Sequence, residues 1–195
     1  SVPMRVFAKD ALNTITDVII YQHGVTSVKE NAYALALGQI YAGMQAGKKV
    51  ALVVIDHPLH GERGFALSGS MDTVTTSDNP TPYLNLSYLT VARDNLKQSV
   101  ADLLGLRLAV GLANAKSAIG TPGNLKVHFL GHSLGAISGT NLLAVANQTL
   151  DRLHVSRGRE DEAGETCTEL LAGLVPVEQV LATFGDELAR HLQSV

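Results

Sequence analysis

Cysteine, tryptophan and long apolar runs are almost absent from this chain of 195 residues. Its one cysteine, Cys167, has no partner for an internal disulfide, which fits either the cytosol or a disulfide-free secreted protein. No segment is apolar over enough residues to span a bilayer, and the first residues lack a signal-peptide pattern. The net charge of -3 offers no basic surface for nucleic acid or an anionic membrane. These absences fit a globular enzyme domain with an aliphatic core.

Apolar strand patterns alternate with helical patterns along the chain. A short edge strand is predicted first, then β-branched runs typical of strands buried on both faces, separated by helical periodicity. The predicted strands are Met4–Ala8, Asp17–Gln22, Val50–Ile55 and Leu125–Leu130, and the predicted helices are Lys29–Ala46, with Gly47 as C-cap, Leu86–Val110 and Ala136–Asn147. Residues 61–85 are expected to form a long loop. This order predicts one α/β domain over residues 1–195, with a mostly parallel, doubly wound sheet and helices on both faces.

The strongest chemical pattern is Gly131-His132-Ser133-Leu134-Gly135, between a predicted strand and a predicted helix. G-x-S-x-G in this setting is typical of a nucleophile elbow, a strained turn that pushes a serine Oγ out above the sheet. Glycines at both ends let the strand and helix approach closely. Ser133 is therefore the predicted nucleophile. His132 is expected to shape the pocket, since a residue adjacent to the nucleophile rarely reaches its Oγ.

A second pattern, His23-Gly24-Val25, follows the first central strand. In hydrolases of this architecture that loop gives one backbone N–H to the oxyanion hole, and the residue after the nucleophile gives the other. By position the two donors are Val25 and Leu134. A plain turn from strand to helix remains the alternative.

Asp56-His57-Pro58-Leu59-His60-Gly61-Glu62-Arg63-Gly64 follows the strand Val50–Ile55. Its two histidines and two carboxylates raise the alternative of a metal site, but their spacing matches no usual zinc pattern. We therefore predict no metal and expect these residues to shape a loop. His128, within a strand, is expected to be a structural histidine.

Three segments resemble the bacterial extracellular lipase and lysophospholipase group of the α/β-hydrolase superfamily. They are Thr16–Tyr33, Asp56–Gly64, which looks like a D-x-P-x-H-G stretch, and Ala92–Leu108 together with the Gly-His-Ser-Leu-Gly elbow. The resemblance covers residues 3–148. It implies a serine esterase acting on acyl esters of lipids, with Ser133 as nucleophile and Val25 and Leu134 as oxyanion donors. It also implies a secreted or cell-envelope location. Acyl-enzyme chemistry on a serine needs no metal or organic cofactor, so none is expected.

Residues 149–195 do not match the group, so a truncated α/β-hydrolase fold with an atypical tail is predicted. The tail is expected to contain a short strand at Leu153–Ser156 and an amphipathic helix at Pro176–Val195. The chain order nucleophile, acid, histidine selects Asp161 as acid and His191 as base. His154, His23, His60 or a second copy of the chain are the open alternatives for the base.

The resulting hypothesis is a serine esterase or lipase that forms an acyl-enzyme on Ser133. Short to medium acyl chains are expected, since no large apolar lid helix is recognisable, and candidate acyl contacts are Phe65, Leu67, Met71, Tyr83 and Leu84. The alternative is a catalytically impaired hydrolase fragment that acts as a folded, oligomeric module. A homodimer is also expected, because the strand before Ser133 would lie near a sheet edge and the tail would pack across a partner.

Overall fold

The computed structural model describes residues 2–66, 73–77 and 79–146. Its main sheet contains four strands in the spatial order β1-β3-β2-β6, and a separate antiparallel pair joins β4 to β5. The strands are β1 Met4–Ala8, β2 Asp17–Gln22, β3 Val50–Ile55, β4 Phe65–Ala66, β5 Thr73–Val74 and β6 Lys126–Gly131. The helices are α1 Tyr33–Gln45, α2 Leu89–Ala115 and α3 Leu134–Ala146.

The two central strands of the main sheet are its most apolar segments. β2 is parallel to both of its neighbours, β3 and β6, whereas β1 is antiparallel to β3. All six residues of β3 are buried, as expected for a β-branched run that is covered on both faces. The prediction of a mostly parallel sheet is confirmed.

Helices cover both faces of this sheet. On one face, alternate residues of β2, β3 and β6 pack against α2 and α3, in a cluster that includes Val18, Ile20, Val53, Phe129, Leu103 and Leu142. On the other face, the intervening residues pack with α1 and the turn before it, in a cluster that includes Ile19, Leu52, Val54, Ala32 and Ala36. The period of two along each strand thus divides the core into two layers, and the doubly wound α/β arrangement is confirmed.

Most predicted boundaries agree with the structure to within a few residues. The helix predicted over Lys29–Ala46 begins as a 3-10 turn at Lys29–Ala32 and becomes α-helical at Tyr33. Gly47 ends it with a φ of +68°, and its N–H donates to Met44 O at 3.0 Å, so the expected glycine C-cap is present. The helix predicted from Leu86 begins at Leu89.

The loop predicted over residues 61–85 has more regular structure than expected. Gly61–Arg63 forms a 3-10 turn, and β4 pairs with β5 through Phe65 opposite Val74 and Ala66 opposite Thr73. Pairing of two-residue strands leaves almost no periodic signal in a sequence, which is why the prediction was wrong for these residues.

Within the described ranges, β6 pairs with β2 alone and so lies at the end of the sheet. The segments predicted beyond Ala146, the strand Leu153–Ser156 and the helix Pro176–Val195, lie outside the described residues. Among the helices of the described part, none has both the length and the apolarity that crossing a bilayer requires.

Candidate active site

Ser133 lies at the sharp turn between β6 and α3. Its φ is +54°, in the left-handed region that non-glycine residues rarely adopt, and its side chain is exposed. The two flanking glycines leave no room for larger residues. A Cβ at Gly131 would lie 2.6 Å from Gly135 O, and a Cβ at Gly135 would meet the backbone carbonyls of Gln22 and His23. The turn therefore has the positive φ and the close backbone packing that the predicted nucleophile elbow requires, with Ser133 at its tip.

The first turn of α3 begins directly after Ser133. The N–H groups of Gly135 and Ala136 donate to His132 O at 2.8 Å and Ser133 O at 2.9 Å. The Leu134 N–H has no acceptor among the residues that the structure describes. Free donors at a helix N-terminus favour negative charge, so Leu134 can donate to an anion that forms near Ser133.

The loop after β2 lies against this elbow. A Cβ built on Gly24 would lie 3.2 Å from the Cβ of Ser133 and 3.2 Å from His132 Nδ1. His132 N–H donates to Gln22 O at 3.0 Å, which continues the pairing of β2 with β6. The Val25 N–H, like that of Leu134, has no acceptor within the described ranges. The residues predicted as nucleophile and oxyanion loop are thus brought together.

Three histidines lie behind this loop with almost no exposed surface: His23, His57 and His60. Their ring centroids are 5.0 to 5.5 Å apart, and the ring of Tyr83 lies 5.6 Å from His57 and 5.3 Å from His60. We call the three histidines, without Tyr83, the histidine cluster. Tyr83 is fully buried and its hydroxyl is 2.6 Å from Ser99 Oγ, so the expectation that Tyr83 contacts an acyl chain is wrong.

The hydrogen bonds of the cluster define the protons on two of its rings. His57 Nε2 lies 3.0 Å from His23 O, so it carries the proton and donates it, and Nδ1 accepts from the Ser99 hydroxyl at 2.9 Å. His60 Nδ1 donates to Pro58 O at 2.8 Å, and its Nε2 accepts the Thr26 N–H at 3.2 Å. Burial, together with the charges of neighbouring histidines, lowers the pKa of His57 to about 3, and burial also lowers the pKa of His60 to about 4. Both rings are therefore neutral near pH 7.

Asp56 and Lys29 form a buried ion pair beside the cluster. Asp56 Oδ2 accepts from Lys29 Nζ at 2.8 Å, and Oδ1 accepts the Lys29 backbone N–H at 2.7 Å. His23 Nε2 lies 3.3 Å from Asp56 Oδ1 but outside hydrogen-bond geometry, so that contact is electrostatic. Burial opposes the charge of Asp56, yet the contacts with His23 and Lys29 outweigh it and lower its pKa to about 2. Burial also opposes the charge of Lys29, but its bonds to Asp56 and Glu30 raise its pKa.

The predicted base and acid, His191 and Asp161, lie outside the described residues, as does His154. His23 and His60 were alternatives for the base, and the structure contradicts both. Both ring nitrogens of His60 are bonded elsewhere; His23 Nδ1 donates to Gly24 O, and its Nε2 faces Asp56. Neither ring can receive the proton of Ser133 without losing these contacts.

His128 accords with its expected structural role, because its Nε2 lies 2.9 Å from Asp17 Oδ1. In residues 2–66, 73–77 and 79–146, no group of three or more His, Cys, Asp and Glu side chains is arranged to hold a metal ion. The sequence reasoning missed Lys29, because nothing in its local pattern distinguishes it from a solvent-exposed lysine at the start of a helix.

The free energy of unfolding is expected to fall as the pH drops below 6.5. In the unfolded chain His57 and His60 then take up protons, whereas burial keeps both rings neutral in the folded chain. Their folded pKa values of about 3 and about 4 lie below the ordinary value of 6.5. Their stabilisation is therefore complete above pH 6.5 and is lost as the pH falls towards 4 and 3. At pH 5 the loss is about 2 kcal/mol for each histidine.

Urea unfolding at pH 7.5 and pH 5 measures this loss. The groups that face the two rings, namely His23, Asp56, Arg63 and Tyr83, remain in all variants. His60→Gln should remove about half of the pH dependence. His132→Gln, at an exposed position, should leave it unchanged. Equal unfolding free energies of the unmodified protein at both pH values would contradict the expectation.

Comparison with known proteins supports the resemblance over part of the chain. Over 70 residues the chain is 74% identical to an extracellular lipase of Aeromonas hydrophila, a match that covers 36% of this chain and 10% of the lipase. The match thus spans about a tenth of the length of that relative. No family model matches the chain.

A solved structure, that of TT1662 from Thermus thermophilus, is similar over 74% of this chain and 52% of its own length, with 19% sequence identity and a TM-score of 0.41. Similarity at this level says nothing about function. This chain therefore resembles an extracellular lipase of Aeromonas hydrophila over part of its length, and its fold is α/β with a mostly parallel sheet.

Proposed function

We propose that this chain is a serine carboxylic-ester hydrolase that cleaves lipid esters through an acyl-enzyme on Ser133. The observation that carries the proposal is the elbow itself: an exposed serine at a φ of +54° before the first turn of α3, with the oxyanion loop against it. The 74% identity to an extracellular lipase over 70 residues supports hydrolase activity. We extend the extracellular location of that relative to this chain as part of the same proposal.

In this mechanism Ser133 Oγ attacks the ester carbonyl carbon. The carbonyl π electrons move onto oxygen, and the N–H groups of Val25 and Leu134 donate to the resulting oxyanion. A base takes the Oγ proton; the oxyanion then re-forms the carbonyl, the bond from carbon to the alcohol oxygen breaks, and the base gives the proton to the departing alcohol. In the second half the base takes a proton from water, which attacks the acyl carbon, and the base returns the proton to Ser133 Oγ as the bond between carbon and Oγ breaks. We assign the base to His191 and the acid to Asp161. No metal or organic cofactor is required.

A fluorophosphonate probe and a series of p-nitrophenyl esters test the proposal. Ser133→Ala should abolish labelling and lower kcat at least about 1,000-fold, because no other group replaces the nucleophile. Ser117→Ala is the matched control, since Ser117 is also an exposed serine at positive φ, at +57°, but lies outside the elbow. It should change neither labelling nor rate. Labelling that survives Ser133→Ala would refute the assignment.

The same ester series tests the acyl-chain preference. We propose short to medium chains, because the segment between β3 and α2 contributes an exposed Phe65 but no helix longer than one turn among its described residues. Butyrate esters should therefore be hydrolysed faster than palmitate esters. Faster hydrolysis of palmitate would contradict this preference.

A second candidate is a catalytically impaired hydrolase that acts as a folded, oligomeric module. It is favoured by one observation: no histidine of the described ranges donates to or accepts from Ser133. A chain that is dimeric by light scattering but neither labelled nor active would select this candidate. Activity recovered on mixing Ser133→Ala with His191→Ala chains would instead assign the base to the second subunit of a homodimer.

A further inference from the structure

Val25 follows a glycine, and this creates a structural problem. Gly24 lies so close to the elbow that a Cβ would be 3.2 Å from Ser133, so a larger residue would crowd the nucleophile. Glycine, however, has more backbone freedom than any other residue. The Gly24–Val25 peptide can therefore rotate unless other groups hold it, and rotation would turn the Val25 N–H away from the place where the proposed mechanism forms an oxyanion.

The upstream peptide of Val25 is held by His23. The Gly24 carbonyl accepts the His23 Nδ1 proton at 2.8 Å and also the Ser27 N–H at 3.3 Å. In a trans peptide the C=O and N–H point in opposite directions. Because the Gly24 carbonyl points towards the His23 ring, the Val25 N–H points away from it. One ring proton of His23 thus sets the direction of the N–H assigned to the oxyanion.

The downstream peptide of Val25 is held by His60. The N–H of Thr26 donates to His60 Nε2 at 3.2 Å, and the Thr26 hydroxyl donates to Val25 O at 2.6 Å. Thr26 has a φ of +63°, which costs free energy for a β-branched residue and persists only where surrounding contacts enforce it. Both peptides that flank Val25 are therefore held by a buried histidine.

The two histidines are held in turn by their surroundings. His60 Nδ1 donates to Pro58 O, which keeps the lone pair on Nε2. His57 Nε2 donates to His23 O at 3.0 Å, and the carboxylate of Asp56 faces His23 Nε2. The two rings therefore have opposite hydrogen-bonding roles. His23 donates from Nδ1 to Gly24 O, whereas His60 accepts the Thr26 N–H at Nε2.

We propose that His23 and His60 are positioning residues, which lock the two peptides around Val25 and thereby aim its N–H at the oxyanion. The inference rests on the proposed function, because an oxyanion forms only in acyl transfer. A loosened Val25 N–H should weaken binding of the transition state more than that of the substrate, so kcat falls while KM changes little.

Asparagine and glutamine at positions 23 and 60 can test the two hydrogen-bonding roles separately. The amide group of asparagine can occupy the place of imidazole Nδ1, and that of glutamine the place of Nε2. At position 23, His23→Asn keeps the donor to Gly24 O, whereas His23→Gln loses it. At position 60 the order is reversed: His60→Gln keeps the acceptor for Thr26 N–H, whereas His60→Asn loses it.

The expected result is a crossed pattern. His23→Gln and His60→Asn should lower kcat about 10- to 100-fold, with KM changed less than about 3-fold, since loss or misplacement of one oxyanion donor has effects of this order. His23→Asn and His60→Gln should stay within about 5-fold of the unmodified kcat. A purely structural role offers no reason for the preferred amide to reverse between the two positions. Equal losses for Asn and Gln at each position would overturn the proposal.

Tyr83→Phe is the control for general damage to the histidine cluster. It removes a hydroxyl whose partners are Ser99 Oγ at 2.6 Å and Asn95 O at 3.3 Å, neither of which belongs to the loop around Val25. Its Tm should fall while its kcat stays unchanged. A kcat loss comparable to that of His60→Asn would mean that any disturbance of the cluster slows the enzyme, and this would overturn the specific role of the two rings.

Amide hydrogen exchange separates failure of this inference from failure of the proposed function. The Thr26 N–H should exchange at least about 10-fold faster in His60→Asn than in His60→Gln, because its acceptor is lost. This readout needs no activity. Equal exchange rates would overturn the positioning role of His60 whether or not the chain hydrolyses esters. An inactive, unlabelled protein that shows the expected difference in exchange would refute only the esterase proposal.

Discussion

Gly135→Ala should destabilise the protein by at least about 3 kcal/mol, at the upper end of the range for overpacking. The added Cβ would meet the backbone of Gln22 and would lie 2.7 Å from His23 O. Both contacts are with main-chain atoms at the end of β2, which cannot move aside as a side chain can. Relief would require α3 to move away from the central strand, with loss of the packing between α3, β2 and β6.

Alanine at Gly38 and Gly105 provides the matched controls for this expectation. Gly38 lies within α1 and Gly105 within α2, and a Cβ at either position would meet nothing within 4 Å. Because alanine favours the helix by about 1 kcal/mol over glycine, these two variants should be neutral or more stable. Urea unfolding followed by circular dichroism measures all three. A Gly135→Ala variant as stable as the Gly105→Ala variant would contradict the proposed close packing.

Asp56→Asn should destabilise the protein by about 3 to 5 kcal/mol, the usual penalty for removing one partner of a buried ion pair. The amide keeps an oxygen for the Lys29 backbone N–H but no longer neutralises its ammonium group, which is buried with the carboxylate. Glu30 and Glu62 lie 3.1 and 3.4 Å from Lys29 Nζ. Because about half of each of these two side chains is exposed to solvent, they offset only part of the lost charge.

The double variant Asp56→Asn/Lys29→Met tests whether charge is the cause. It leaves no unpaired charge in the interior, so it should recover part of the stability that Asp56→Asn loses. Arg93→Met is the surface control, because Arg93 pairs with Asp94 and both side chains are more than half exposed, and it should give no measurable change. If the double variant loses more unfolding free energy than the two single variants lose in sum, packing and not the unpaired charge determines the loss.

The parts of the fold that were predictable are those with a local cause. The β-branched residues of β2 and the wholly aliphatic run of β3 predicted both strands with their observed bounds, since short β-branched runs are typical of strands covered on both faces. Gly47 marked a helix end because the left-handed conformation there suits glycine. The turn at Ser133 was predictable for the same reason. The close approach of β6 and α3 requires glycine on both sides of the turn, and the spacing of Gly131, Ser133 and Gly135 in the sequence shows this directly.

The unpredictable parts depend on residues far apart in sequence. Thr26 and His60 are 34 positions apart, and so are His23 and His57; no local pattern indicates which ring nitrogen of either histidine carries the proton. The same limit concealed Lys29, whose burial follows from a carboxylate 27 positions away. Sequence reasoning placed these histidines near the site but assigned two of them as alternative bases, since it could not see that their nitrogens were already engaged.

The ion pair between Lys29 and Asp56 has a consequence for transplanting parts of this chain. The segments His23–Lys29 and Asp56–His60 are joined by the ion pair, by a ring–amide bond and by a ring–carbonyl bond. A chimera that receives only the first segment from a homologue would combine contacts selected in two different lineages, and it should be less stable than a chimera that receives both segments. For recombination and for directed evolution, the unit to exchange is this pair of loops, inherited together although β3 and α1 separate them in the sequence.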